Sequence, residues 1–453
     1  MARPVNLPPF REECEGKNTV LKGLRWVLQG ALLVIAVAAA AWTASRLMPV
    51  PAAQREALVL MQQPSSFAGD NAFEAIWLLD FDDVPAAERQ GLLEEDRRRI
   101  ADLSRQPLTD EQMPLALRAA QGRYPSPPSL ESPCRWSSDD CIARLRADPA
   151  SAEAALLGQQ ALLARIAALS AYDHYQNPFV PDARAPMPNW TLLQRPLTAH
   201  ALAHVQGRSD EALAGLCNDT RTAKMLMAHS DALISAVLGA SMVRGNVSLL
   251  AQVLAELPAD HPLPASCDGV FSTPAPQALS LCTAMRGEFR MVSEGLPRMD
   301  QPLAWLVWDR DRNQARTASV MQGACTEAAA QMVAADRPLL IEQPAASSWR
   351  FECVANMVGC VLGDIAAPAY RPYAMRLQDA GASLRLAEGL LWLRANPHAD
   401  AAQALAAMPA QLRDGERPLR LSTDGRQLQV ALYAKAGGDA ALRVPLPASR
   451  LRQ

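Results

Sequence analysis

The feature that most constrains this chain is an uncharged run of 20 residues near its N-terminus, from Trp26 to Ser45. As an α-helix this run would be about 30 Å long, which matches the hydrocarbon core of a bilayer. Trp26 and Trp42 lie near its two ends, where indole rings favour the membrane–water interface. The run therefore predicts a single transmembrane helix at 26–45 with these tryptophans as its membrane anchors.

The basic residues on either side of the run predict its orientation. Residues 1–25 contain five Lys and Arg residues, whereas residues 46–65 contain two. Because cytoplasmic flanks carry the excess of basic residues, we expect the N-terminus inside and the bulk of the chain outside.

Two alternatives to an anchor remain open. A cleaved signal peptide would have its apolar stretch at 31–41, but the preceding segment is long and mixed in charge, and apolar residues continue through Trp42. The run could also be a buried core helix of a soluble protein. An anchor is the favoured interpretation, and a signal peptide would export the same domain.

Composition limits the classes of protein to which the chain belongs. Its 453 residues suffice for a large core, and 49% hydrophobic against 20% charged residues excludes a disordered chain. The formal net charge of −3 argues against a nucleic-acid partner, because neutralising phosphates requires a basic excess. Only four of the 44 basic residues are lysines. We interpret this bias as high-GC coding. Together with the apolar run and the cysteines described next, it favours a Gram-negative bacterium and its inner membrane.

The cysteines agree with export into an oxidising compartment. Cys14 precedes the apolar run, and an even number of cysteines follows it, a pattern that predicts disulfides. These disulfide candidates are Cys134, Cys141, Cys217, Cys267, Cys282, Cys325, Cys353 and Cys360. There is no CxxC motif and no zinc-type spacing, so structural disulfides are favoured over redox or metal chemistry.

Local sequence bears on three possible pairs. Cys134 and Cys141 can pair, because Pro133 places Cys134 before the next helix. Cys353 and Cys360 fall within one predicted helix. Seven helical residues separate Cα atoms by about 10.5 Å, beyond the limit of about 7 Å for a disulfide, so they would pair only if that helix breaks. A Cys267–Cys282 pair across a proline-containing loop is also plausible.

Pattern changes divide the chain into five predicted parts. These are a cytosolic tail at 1–25, the transmembrane helix at 26–45, a Pro- and Ala-rich juxtamembrane linker at 46–70, a periplasmic α-helical domain at 71–413, and a C-terminal β-hairpin extension at 414–453. The last part alternates with a period near two and contains the turn signal Asp424-Gly425. The predicted fold class is mainly α, with a disulfide-bonded domain of stacked αα-hairpins and a small C-terminal β-hairpin.

The helical-hairpin prediction rests on the middle of the chain. Two helix–turn–helix patterns follow one another, with Gly207 and Gly245 as the turn residues. The phrase QGRSDEALAGL at 206–216 resembles the turn between the helices of a tetratricopeptide repeat, without a sustained period. Further helices are predicted at 151–172, 275–296, 312–336, 350–367 and 370–396.

Two constellations are weak candidates for chemistry. His200 and His204 share a helix face at a spacing that can bind a metal, although Ala201 stands where a zinc protease has glutamate. Asp309 and Asp311 follow two tryptophans, as in many sugar-binding clefts, and are the weak catalytic candidates. Ordinary surface or core roles are favoured for both groups.

The functional expectation follows from these features. We expect a bitopic inner-membrane protein whose periplasmic helical domain binds another envelope protein, in a scaffold or immunity-type role, without a cofactor. The alternative is a membrane-tethered periplasmic hydrolase acting on peptidoglycan or glycans. A tail at 1–25 that contacts a cytosolic partner is a third hypothesis. The chain has no GxSxG, Walker or GxGxxG motif, which favours binding over catalysis.

Overall fold

The computed structural model describes residues 12–106, 118–128, 131–138, 140–182, 184–295, 303–341, 350–396, 400–436 and 439–446. Of the predicted parts, residues 1–11 of the tail and the chain end from 447 lie outside the described residues. Residues 12–25 of the tail are helical and continuous with the apolar run. The predicted fold class is confirmed, since helices with four disulfide-bonded cysteine pairs precede a small C-terminal sheet.

The helices of the first half follow in chain order. They are α1 (Glu12–Leu47), α2 (Ala52–Met61), α3 (Phe73–Trp77), α4 (Ala86–Ser104), α5 (Cys141–Ala147), α6 (Pro149–Leu156), α7 (Gln160–Ala167), α8 (Arg195–Val205) and α9 (Ser209–Ala228). The second half contains α10 (Leu233–Glu256), α11 (Cys282–Gly295), α12 (Arg310–Met321), α13 (Glu327–Ala334), α14 (Met357–Ala395), α15 (Ala401–Ala407) and α16 (Ala410–Arg413).

Helix α1 contains the predicted transmembrane helix. Its stretch Lys22–Leu47 is long and apolar enough to cross a membrane, and the side chains at 22–40 are exposed. Helix α10 passes the same test of length and composition, as would the bent pair Pro149–Leu156 and Gln160–Ala171 if it formed one span. However, α10 is mostly buried, because α9, α14 and the C-terminal sheet pack around it. Its apolar character is therefore that of a core helix.

The predicted linker at 46–70 is the first correction. Helix α1 continues to Leu47, and α2 follows after only four residues. Ala57 and Met61 of α2 are fully buried, and α2 packs on α12. Its apolar face is covered by the domain, so this segment is part of the fold.

Two helix predictions are wrong at a glycine, one because the helix breaks there and the other because it does not. The helix predicted at 151–172 breaks between α6 and α7, where Gly158 has a positive φ of 73°. The side chain of Gln159 then donates a hydrogen bond to the carbonyl oxygen of Pro128. Conversely, Gly245 does not lie in a turn, because it is within the continuous helix α10. The α8–α9 hairpin forms as predicted, with Gly207 at a φ of 82° in its turn.

Three further helices differ at their boundaries. The helix predicted at 275–296 begins only at Cys282, and the one predicted at 312–336 divides into α12 and α13 at a 3₁₀ turn over Gln322–Cys325. The two predicted at 350–367 and 370–396 are one helix, α14.

The C-terminal sheet contains the predicted hairpin and one more strand. Strands β1 (Arg420–Leu421), β2 (Gln427–Ala436) and β3 (Asp439–Pro445) are antiparallel in the order β1-β2-β3. Leu428 pairs with Val444 and Val430 with Leu442, and all four side chains are buried. The period of two thus places one face of the sheet on the core, against α14 and α10.

The eight cysteines after α1 form four pairs with Cα–Cα distances of 4.7 to 5.9 Å. The pairs are Cys134–Cys141, Cys217–Cys267, Cys282–Cys325 and Cys353–Cys360. Cys353 lies in a 3₁₀ turn and α14 begins at Met357, so the helix break required for the last pair is present. The Cys267–Cys282 pair is wrong, because Cys267 lies against α9 and Cys282 faces the end of α12.

Candidate functional site

The last turn of α1 is inserted into the folded domain. The indole Nε1 of Trp42 donates a hydrogen bond to the carbonyl oxygen of Leu306 at 2.6 Å. The rings of Trp42 and Trp305 meet edge to face with centroids 5.2 Å apart. Of the two predicted anchors, Trp42 therefore contacts the domain, whereas Trp26 is exposed on the free part of α1.

Polar contacts complete this connection. Ser45 is fully buried, and its Oγ accepts a hydrogen bond from the backbone N–H of Ala355 at 3.2 Å. Arg46 forms an ion pair with Asp309 at 2.9 Å. We call the set Trp42, Ser45, Arg46, Trp305 and Asp309 the anchor joint. It holds the end of α1 in one orientation relative to the domain.

Asp309, the first weak catalytic candidate, is a member of the anchor joint. Asp309 is the N-cap of α12, where its side chain accepts a hydrogen bond from the backbone N–H of Arg312 at 3.2 Å. It also pairs with the guanidinium groups of Arg46 and Arg312. Asp311 is exposed in the first turn of α12, where a negative charge suits the helix dipole. This environment gives Asp309 a structural role.

The two histidines of the weak metal candidate have separate partners. His200 Nε2 contacts Asp219 Oδ2 at 2.8 Å, and His204 Nε2 contacts Glu256 Oε2 at 3.0 Å. His204 Nδ1 also contacts the hydroxyl of Ser209. Within the described residues, no group of three or more His, Cys, Asp or Glu side chains is placed to hold a metal ion.

The strongest candidate for a binding site is a recess that sequence reasoning did not identify. Its volume is about 520 Å³, and it lies between the loop at 132–137, the turn that leads into α8, and the middle of α10. We call it the arginine recess. Its lining residues are Ser132, Arg135, Trp136, Ser137, Thr191, Gln194, Arg195, Ser241 and Arg244.

Short-range contacts hold the loop that forms one wall of the recess. The Cys134–Cys141 disulfide ties the loop to α5, and the backbone N–H of Cys134 donates to Thr198 Oγ1 of α8. Gly245 allows the loop to approach α10, because a Cβ there would lie 2.7 Å from the Cα of Trp136. The glycine predicted as a turn thus serves close packing.

The charges of the recess are all of one sign. Arg135, Arg195 and Arg244 contribute guanidinium groups, and none of the described lining residues is acidic. Arg195 is only 8% exposed, and its Nη1 is buried with no hydrogen-bond acceptor among the residues that the structure describes. Burial lowers the pKa of Arg195 from its ordinary value. An oxyanion would supply the missing acceptor and the opposite charge.

The sequence contains no local signal for this recess. Its arginines are 60 and 49 residues apart, and 40 arginines are spread along the chain. No family model, curated protein or solved structure matches the chain. Function is therefore inferred from the residues and their geometry.

Proposed function

We propose that the chain is a single-pass inner-membrane protein whose periplasmic helical domain binds another envelope protein. An acidic group of the partner occupies the arginine recess. The apolar stretch of α1 supports a membrane anchor, and four disulfides are typical of an oxidising compartment such as the periplasm.

The convergence of three arginines without a carboxylate carries the proposal. Several other buried arginines of the domain have acidic partners: Arg417 pairs with Asp379 at 2.6 Å, and Arg316 pairs with Asp364 at 2.6 Å. The buried Arg394 instead donates hydrogen bonds to three backbone carbonyl oxygens. Among the described residues, Arg135, Arg195 and Arg244 have no such partner. Since buried charges are ordinarily paired, the buried Arg195 favours a partner that supplies the negative charge. The half-buried Arg244 and the exposed Arg135 add to the positive charge of the same recess.

The size and lining of the recess indicate how the partner binds. A volume of about 520 Å³ admits a few side chains. Trp136 adds an aromatic wall beside the guanidinium groups. A projecting loop or chain terminus with Asp, Glu or a terminal carboxylate fits this chemistry, because planar guanidinium groups bind carboxylates bidentately.

The hydrolase alternative receives less support from the same structure. It depended on Asp309 and Asp311, and Asp309 already caps α12 and pairs with two arginines. These contacts commit the Asp309 carboxylate to holding the fold. Binding is therefore the better-supported proposal.

Site-specific photocrosslinking in native membranes tests the proposal. A benzophenone-bearing residue replaces Ser137, which is exposed at the recess. We expect a crosslink to one envelope protein. Its yield should fall about tenfold in Arg135→Glu and in Arg244→Glu, because a charge-assisted hydrogen bond contributes about 1.5–3 kcal/mol.

The matched control is Arg420→Glu, which makes the same charge change on the exposed strand β1. It should leave the crosslink unchanged. A crosslink that survives both recess substitutions, or that Arg420→Glu weakens equally, would contradict binding through the recess.

A further inference from the structure

Large apolar side chains are exposed on the segments that surround the end of α1. Each of the following is at least 40% exposed: Trp305, Phe351, Val354, Met357, Val361 and Ile365. We call this set the apolar collar. Contiguous exposed apolar surface on a folded domain marks a site of interaction with a protein or a membrane.

Hydrogen bonds place the two segments of the collar at the anchor joint. The backbone N–H of Val358 donates to the carbonyl oxygen of Val307 at 3.1 Å, which joins the start of α14 to the segment at 303–308. The backbone N–H of Ala355 donates to Ser45 Oγ in α1. The collar therefore lies where the chain leaves the apolar stretch of α1.

The segment at 352–365, which leads into and begins α14, has an inverted polarity for a surface segment. Glu352 and Asp364 turn inward to Arg316, whose side chain is only 6% exposed. Met357, Val361 and Ile365 recur at every fourth residue, so they share one face over about 12 Å. The acidic groups are thus neutralised within the fold, while the apolar groups face outward.

We propose that the apolar collar rests in the interfacial layer of the bilayer that α1 spans. Continuity with α1 identifies the lipid as the occupant, because the anchor joint fixes the collar beside the end of the span. Trp42 and Trp305, with ring centroids 5.2 Å apart, supply two indoles at this level. This inference rests on the proposed membrane anchor, but it concerns a surface separate from the arginine recess and does not depend on the proposed partner.

Photocrosslinking to lipid tests the inference on the full-length chain in lipid nanodiscs. A benzophenone-bearing residue replaces Met357 or Ile365 in the collar. Ile35, in the exposed stretch of α1, is the positive control. Leu157 is 74% exposed outside the collar and is the matched negative control.

Lipid adducts at 357 and 365 should approach the yield at 35. They should exceed the yield at 157 about tenfold, because burial of one such side chain in an apolar phase is worth at least that factor. Ile365→Glu should lower the adduct yield at 357. Lipid adducts no more frequent than at 157, or adducts to a second copy of the chain or to another protein instead, would overturn the inference.

Discussion

At the scale of single residues, the glycines show how closely the elements approach. In α10, a Cβ on Gly245 would meet the Cα of Trp136 at 2.7 Å and its Cβ at 2.9 Å. These are backbone-proximal atoms that cannot rotate away. Gly91 in α4 is also helical, but nothing lies within 4 Å of the position of its Cβ. Close packing thus requires a glycine at 245, whereas the space around position 91 would accept a larger side chain.

Alanine substitution separates these two roles. Gly245→Ala should lower the free energy of unfolding by about 1–3 kcal/mol, because the loop at 132–137 must shift. Gly91→Ala should raise it by about 0.5–1 kcal/mol, since alanine favours the helix. Urea unfolding of the two variants in detergent measures both effects. Equal changes in the two variants would argue against close packing at Gly245.

At the scale of elements, the C-terminal end of α10 contacts two other helices through one carboxylate. Both carboxylate oxygens of Glu256 accept hydrogen bonds from Arg146 of α5, at 3.0 and 2.6 Å. His204 of α8 contacts the same carboxylate at 3.0 Å. The hydrogen bond from Arg146 and, to a lesser extent, the contacts with His204 hold the pKa of Glu256 below its ordinary value.

The pH dependence of Glu256→Gln follows from this lowered pKa. The carboxylate stabilises the fold above the ordinary glutamate pKa of about 4.3, and this contribution is lost as the pH falls through the lowered pKa. At pH 7 the variant should be less stable by up to about 1 kcal/mol, because the pair is partly exposed. The difference should shrink to zero in acid.

Thermal unfolding across pH 3 to 7 measures this difference, with Glu211→Gln as the control. Glu211, in the first turn of α9, forms an exposed ion pair with Arg208, so its loss should change stability by less than about 0.5 kcal/mol. A deficit of Glu256→Gln that persists in acid would show that the charge is not responsible.

At the scale of the whole molecule, the anchor and the domain form one body. The anchor joint buries Ser45 and pairs Arg46 with Asp309, and α2 packs on α12 a few residues later. In place of a flexible tether, the chain thus has a packed connection between α1 and the domain. With α1 in the proposed membrane, such a connection would present the arginine recess at a defined height and orientation.

Limited trypsin digestion in nanodiscs tests this connection. Cleavage after Arg46 requires the end of α1 to unwind and leave the joint. Asp309→Ala removes the N-cap of α12, worth about 1 kcal/mol, together with the ion pair to Arg46. It should accelerate release of the domain several-fold, whereas Asp311→Ala should not. Equal rates in both variants would rule out the joint as the protective element.

Several predictions from sequence failed where a distant contact decided the local structure. The linker at 46–70 has a composition typical of a tether, but α12 covers the apolar face of α2. Gly158 was predicted within a helix and Gly245 at a turn, yet the helix breaks at Gly158 and continues through Gly245. The disulfide partners of Cys217 and Cys325 depend on which helices pack together, which the spacing of cysteines does not encode.

The apolar helix, the mainly helical class, the even set of cysteines and the C-terminal strands are all predictable from the amino-acid sequence. These depend on local periodicity and composition, which short stretches of chain express on their own. The anchor joint, the apolar collar and the arginine recess exist only in the folded chain. Each joins residues that are tens to hundreds of positions apart in the sequence. Their chemistry depends on packing, which brings the side chains together, and on burial, which excludes water from them.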